Sequence, residues 1–463
     1  MNKRIKYAIA AVVLSMIVAA VFLLYHQAYR IDTDNILAHS VLKDKTFTSK
    51  VRQLEIDGIK AYFLEEHSNP IIAISFVFTN AGSAYESENK QGLTLLLTDM
   101  LQNGAGHYNA LQFKDAAEEY GIKIGFQSGT DEISGFLQMP TANLEKAIEL
   151  LTSALYQPHF AADYIALTKN QMQTALRYNK ERPSSVLSDK FAEIIFAGHP
   201  YSRPAIGLEE TIAGINRADL KDFMRKHFTK SNLIIGIAGD INDDKAKKLL
   251  YDIFGRLPAE FSQEPVAKIK LKSTGAKHYV DFSSPQTITQ FVSKGTSRNS
   301  ADFYPLYLAN YIFGGSGLNS KISKVIREDN GLTYGIYTYL SIKETAALIL
   351  GNYSSTPQNF ALAQKLLHQE WQKMAASGVT KEELQQAKDA LIASYNLRFA
   401  SIDGIADMLT AMQQYNLGID FLEKRNDYIK AVSLEQVNAA AKKYFNDEPD
   451  FVIVGKKTEQ KEK

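Results

Sequence analysis

Hydrophobic and polar positions follow one programme twice along the chain. Residues 71–78 and 287–292 carry β-branched and aromatic side chains in short apolar runs, and each run reads as a strand. Residues 91–102 and 302–313 follow with apolar positions at helical spacing. After each helix come a Gly-containing turn, more strand, two long helical patterns and a closing helix–strand unit. Strands gathered at one end, with helices packed to one side, predict α+β lobes rather than an alternating parallel sheet.

The two programmes keep a fixed spacing. Ile212, Ile215, Leu220 and Phe228 recur 217 positions later as Ile429, Val432, Val437 and Phe445. Tyr178-Asn179 and Tyr395-Asn396 keep the same spacing, and Gly82 and Gly295 mark matching strand exits 213 apart. A period this long is domain-sized, so the pattern predicts two tandem homologous lobes, at 50–255 and 277–457. Residues 256–276, rich in Pro, Lys, Ser and Gly, form the expected linker, and 458–463 a charged tail.

The N-terminus carries another pattern. Lys3, Arg4 and Lys6 precede residues 8–25, eighteen positions without a charge. At ~1.5 Å per residue this run is about 27 Å long, near the thickness of a bilayer's hydrocarbon core. The basic flank favours a cytoplasmic N-terminus with the rest translocated. The expectation is a single-pass anchor within 1–29 and a polar tether over 30–49. A cleaved signal is the competing reading, but no small-x-small site follows Leu24-Tyr25-His26-Gln27.

Composition excludes more than it selects. The 52 basic and 51 acidic residues give no electrostatic case for nucleic acid. With no cysteine, disulfides, thiolate nucleophiles and Cys-based metal sites are ruled out. No two of the nine His lie within ten positions of each other.

Three passages carry a family resemblance. They are Asn80-Ala-Gly-Ser-Ala-Tyr-Glu-Ser leading to Gly92-Leu-Thr, then Gly198-His199-Pro200-Tyr201-Ser-Arg203-Pro204, then Gly314-Gly-Ser-Gly317 followed by Ile326-Arg327-Glu328 and Gly331-Leu-Thr-Tyr334. In this order, over nearly all the chain beyond residue 50, they resemble the pitrilysin/insulinase family of zinc metallopeptidases. The resemblance implies two lobes, each a mainly antiparallel sheet covered by helices.

It also locates a loss. The family's inverted zinc motif, His-x-x-Glu-His, falls with its first His on Leu95, its Glu on Thr98 and its second His on Asp99. Ligands four apart share a helix face, and the Glu between them acts as general base. Leu95 cannot ligate, and a Thr hydroxyl is no base at neutral pH. The family's third ligand falls on Thr174 or Ala175. At most Asp99 remains of three ligands, so the expectation is no metal in this chain. Leu95, Leu96 and Leu97 are expected to pack as core over the vacated site. His199 is expected to be a hydrogen-bonded turn residue.

The third passage is intact. In the bacterial and mitochondrial branch, one subunit supplies zinc, and another contributes an Arg and a Tyr from its C-terminal lobe. Arg327 and Tyr334 stand at those positions, similar to the alpha-type subunits of the mitochondrial processing peptidase. Gly314, Gly315 and Gly317 would form a flexible segment near the substrate path. The resemblance thus implies a non-catalytic, peptide-binding subunit at the bacterial inner membrane, facing the periplasm, with zinc held by a paralogous partner. A structural core-type subunit and a peptide-binding chaperone module remain alternatives.

Overall fold

The structure is a computed structural model that describes residues 51–261, 265–271 and 273–456, without the side chains of 396–398. The expected anchor, tether and charged tail lie outside these residues. Among the described residues no helix is long and apolar enough to cross a membrane.

Eleven strands form two sheets: β1 (Arg52–Ile56), β2 (Ile59–Glu65), β3 (Ile71–Thr79), β4 (Lys123–Ser128), β5 (Glu132–Pro140) and β6 (Leu233–Gly239) in the first; β7 (Lys277–Asp281), β8 (Thr287–Lys294), β9 (Ile336–Ile342), β10 (Ala347–Ser355) and β11 (Asp450–Gly455) in the second. The strand orders are β1-β2-β6-β3-β5-β4 and β7-β11-β8-β10-β9. Without β1 the two orders are the same. Each has one parallel pair, β2 with β6 and β7 with β11, made by the last strand of that copy. All other pairs are antiparallel.

The duplication extends to single contacts. Phe76 pairs with Gly135 and Ile235; Phe291 pairs with Gly351 and Phe451. In both sheets the phenyl ring fills the space above the glycine: a Cβ would stand 2.2 Å from the Phe76 ring at Gly135 and 2.0 Å from the Phe291 ring at Gly351. Ile235 and Phe451 are 216 apart, whereas Phe228 and Phe445 are 217 apart. The spacing expected to be constant therefore slips by one, because the closing strand of the second copy pairs with its neighbour one residue out of step with the first.

Apolar side chains on one face of each sheet meet that copy's own helices. Phe76, Ile235 and Ile237 join Leu96, Leu150, Leu220 and Leu250 in one core; Phe291, Phe451 and Ile453 join Phe313, Trp371 and Phe445 in the other. The expectation that helices lie to one side of each sheet is incomplete. The opposite faces are also apolar, and each is covered by a helix from the other copy. Pro183–Ile195 lays Leu187 and Phe191 on Val292, Leu350, Val452 and Val454. Reciprocally, Ile402–Gln414 lies on the first sheet, where Thr410 Oγ1 donates to the Ser75 carbonyl at 3.0 Å and Gln413 Nε2 to the Ile235 carbonyl at 2.6 Å.

The described residues of the segment joining the copies are tied down at several points. Val266, Ile269 and Leu271 pack on the shared cluster, and Ile269 N–H donates to Thr345 O at 2.9 Å. His199 accepts from Tyr201 N–H through Nδ1 at 3.1 Å, so its Nε2–H donates to Ala267 O at 2.8 Å. The turn role expected for His199 is what the structure describes.

Candidate functional site

The helix Leu93–Met100 carries the degenerate motif, and two glycines set its start. Gly92 has φ +90° and Gly207 φ +87°, a region L side chains avoid. Their backbones touch: a Cβ on Gly92 would lie 2.5 Å from Ile206 O, and one on Gly207 2.3 Å from Gln91 O. This approach places the end of the first sequence passage against the residues that follow the second.

Glu86 caps the helix from a buried position. Its carboxylate accepts from Gly92 N–H at 2.9 Å, from Thr94 N–H at 2.7 Å and from Thr94 Oγ1 at 2.6 Å. Negative charge suits a helix N-terminus, yet burial outweighs these donors and pushes its pKa up to about 7. Because the folded value lies above the unfolded one, the stabilisation is fully present below about pH 4.5 and is lost as pH rises through about 7. Thermal melts should therefore fall from pH 5 to pH 8, by at most about 3 kcal/mol in stability. Glu86→Gln should flatten that difference, and an unchanged pH profile in the variant would refute the assignment.

The motif positions do not converge on a metal. Leu96 and Leu97 are fully buried, as expected, but Leu95 is 37% exposed and does not seal the site. It shares a face with exposed Asp99, four residues on. That is the geometry of a ligand pair, but Leu95 has no donor atom. Asp99 Oδ2 accepts from Thr168 Oγ1 at 2.9 Å and from Asn103 Nδ2 at 3.1 Å. Thr98 is buried and turns its hydroxyl back to the carbonyls of Thr94 and Leu95, each at 3.1 Å. Thr174, on the helix Ala162–Lys180, likewise bonds its own helix at Asn170 O. Among the described residues no three His, Asp or Glu side chains form a group that could hold a metal ion. The donor set does not fit catalytic zinc.

Arg327 and Tyr334 are brought together. Arg327 ends a π-helical turn, Lys324–Glu328, and its Nε–H donates to the Tyr334 carbonyl at 3.0 Å. The clasp holds the loop before β9 so that the Tyr334 side chain stands 88% exposed. Among the described residues no hydrogen bond engages the four remaining guanidinium N–H groups or the Tyr334 phenol. The glycines expected to form a flexible segment have different roles. Gly314 is buried, with no room for a Cβ beside Thr338 and Ile322, whereas Gly317 has φ +64° and open space around it.

Sequence reasoning missed the network between the copies. Asp131 accepts from the Tyr201 hydroxyl and from Glu344 N–H, while Tyr85 OH donates to Glu344 at 3.2 Å. The Asn80 amide, with its NH₂ toward the acid, donates to both Glu344 oxygens at 2.8 and 3.0 Å. Burial, then the charge of Asp131, raises the pKa of both Glu132 and Glu344. Asn80, Asp131, Glu132 and Glu344 line a cavity of about 550 Å³ between the two sheets' loops. Tyr85 and Tyr201 lie inside the quoted passages; Asp131 and Glu344 carried no motif.

Comparison with known proteins agrees with this architecture. The profile described as "Insulinase (Peptidase family M16)" matches residues 62–208, and "Peptidase M16 inactive domain" matches 214–391. A non-peptidase homolog, YmxG, of Helicobacter pylori is 24% identical over 417 residues, covering 87% of this chain and 93% of its own. An uncharacterized zinc protease of Rickettsia felis is 25% identical, covering 69% and 76%. The crystal structure of a peptidase M16 inactive domain from Pseudomonas fluorescens superposes with TM-score 0.83 at 27% identity, covering 89% of this chain and 99% of that one. A Helicobacter pylori protease structure, 18% identical, covers 88% and 99% with TM-score 0.78 and shares the fold. The chain belongs to the insulinase (M16) peptidase family, as an inactive-type member with Leu95, Thr98 and Asp99 at its zinc-motif positions.

Proposed function

We propose that this chain is the non-catalytic, peptide-positioning subunit of a two-chain zinc peptidase, anchored in the inner membrane by residues 8–25 with its bulk in the periplasm. The supporting observation is the Arg327–Tyr334 clasp, which keeps an exposed phenol and four guanidinium donors free in a chain whose own motif helix lacks ligands. A guanidinium fork suits a peptide carbonyl, and a phenol suits an oxyanion developing at the scissile bond. The zinc and the general base would come from a paralogous partner carrying His-x-x-Glu-His. Purification of the tagged full chain from native membranes in mild detergent tests this reading. It should recover such a partner in stoichiometric amount, with zinc in the pair and none in the separated chain. One zinc per separated chain, removable by chelator with loss of peptide cleavage, would overturn it.

A further inference from the structure

The helix Arg217–His227 carries cations at 217, 221 and 225, four apart and therefore on one face. They border a groove of about 560 Å³, whose opposite wall carries Arg256. Arg256 is held in place: its guanidinium lies 4.0 Å over the Tyr156 ring, and Tyr156 OH is tied to Ile253 O at 2.7 Å. The floor is apolar, built from Leu155, Phe160, Met224, Phe228 and Leu257, and no carboxylate lines the groove. The acids on this helix are engaged elsewhere, Asp219 with Lys90 and Asp222 with Arg225 and Lys226. Among the described residues Arg217, Lys221 and Arg256 have no carboxylate partner.

In a chain with 52 basic and 51 acidic residues, three cations without a carboxylate partner around one concave surface, beside an Arg225 that is paired with Asp222, form a local excess. Surface lysines and arginines usually interleave with acids, and unrelieved like charge is repulsive. Guanidinium forks match phosphate oxygens in pairs, and the apolar floor matches a hydrocarbon or ring body behind the phosphate. We infer that this groove binds an organic phosphate with an apolar body, its phosphate held by Arg217, Lys221 and Arg256. Either an anionic phospholipid headgroup or a soluble phosphate compound presents this chemistry.

Calorimetric titration of the full chain in neutral detergent at low salt tests the site, with two probes. Dihexanoyl phosphatidylglycerol represents the lipid source and phenyl phosphate the soluble one. One saturable equivalent is expected for at least one probe. Arg217→Glu combined with Lys221→Glu should weaken it roughly 100-fold, about tenfold for each lost charge-assisted contact. Both residues are exposed on a helix surface, so circular dichroism and melting should match the parent chain. Tighter binding of the lipid would identify a headgroup site, and tighter binding of phenyl phosphate a soluble-phosphate site; both support the inference. Absence of saturable binding of either probe, or undiminished binding by a folded double variant, would overturn it.

Discussion

Tyr334→Phe, reconstituted with the proposed zinc-bearing partner, should cleave peptide about 10²–10³ times more slowly, the usual loss for one preorganised oxyanion donor. The loss should appear in kcat, since the phenol's bond strengthens only as charge develops. Folding and association should be unchanged, because the side chain is almost wholly exposed and fills no core. Arg327→Ala should act on two levels. It removes a fork that binds a ground-state carbonyl, raising KM, and it releases the clasp on the Tyr334 carbonyl that aims the phenol. The two substitutions should therefore be less than additive in ΔΔG‡, as expected for groups sharing one hydrogen bond. Arg327→Lys should not rescue, since one ammonium cannot both reproduce the Nε clasp and present a planar fork. Unchanged turnover by an active pair carrying both substitutions would assign this chain a structural role.

How much of this was legible depends on what each residue's role is tied to. The zinc loss could be read directly, because ligation is a property of the side chain: Leu95 has no donor wherever the helix points. Its exposure could not be read, since three consecutive leucines carry no period to say which one faces outward. The two lobes were legible because burial repeats at fixed spacing, as Ile212 and Ile429 illustrate. The one-residue slip between Phe445 and Phe451 was not, because pairing register within a continuous apolar run leaves no signature in the sequence. Glu86 reads as an ordinary loop acid after Tyr85; its burial under the helix N-terminus depends on the contact between Gly92 and Gly207. Least legible was the exchange of helices. The patterns of 183–195 and 402–414 show amphipathic helices but do not say which copy's sheet receives them, since both outer faces are apolar.

That exchange sets the largest expected effect on stability. Gly236 lies in the middle of β6, against the helix Ile402–Gln414 from the second copy. A Cβ there would stand 2.2 Å from Ala406 O, 2.7 Å from Thr410 Oγ1 and 2.8 Å from Thr410 N. Two of these obstacles are backbone atoms, so no rotamer change relieves the clash and the helix must move away. Moving it strains the bonds from Thr410 to Ser75 O and from Gln413 to Ile235 O, leaving strand carbonyls short of partners. Gly236→Val should therefore destabilise by about 3 kcal/mol, the upper end of the cost of overpacking. Gly214→Ala is the matched control: nothing lies within 4 Å of its Cβ, and its change should stay within about 0.5 kcal/mol. Because each copy covers the other's sheet, the loss should appear as a lower midpoint of one shared urea transition rather than as early melting of half the molecule. A Gly236→Val protein with the parental midpoint would mean that the helix is not seated on this sheet. A split transition would mean that the copies fold independently despite the exchange.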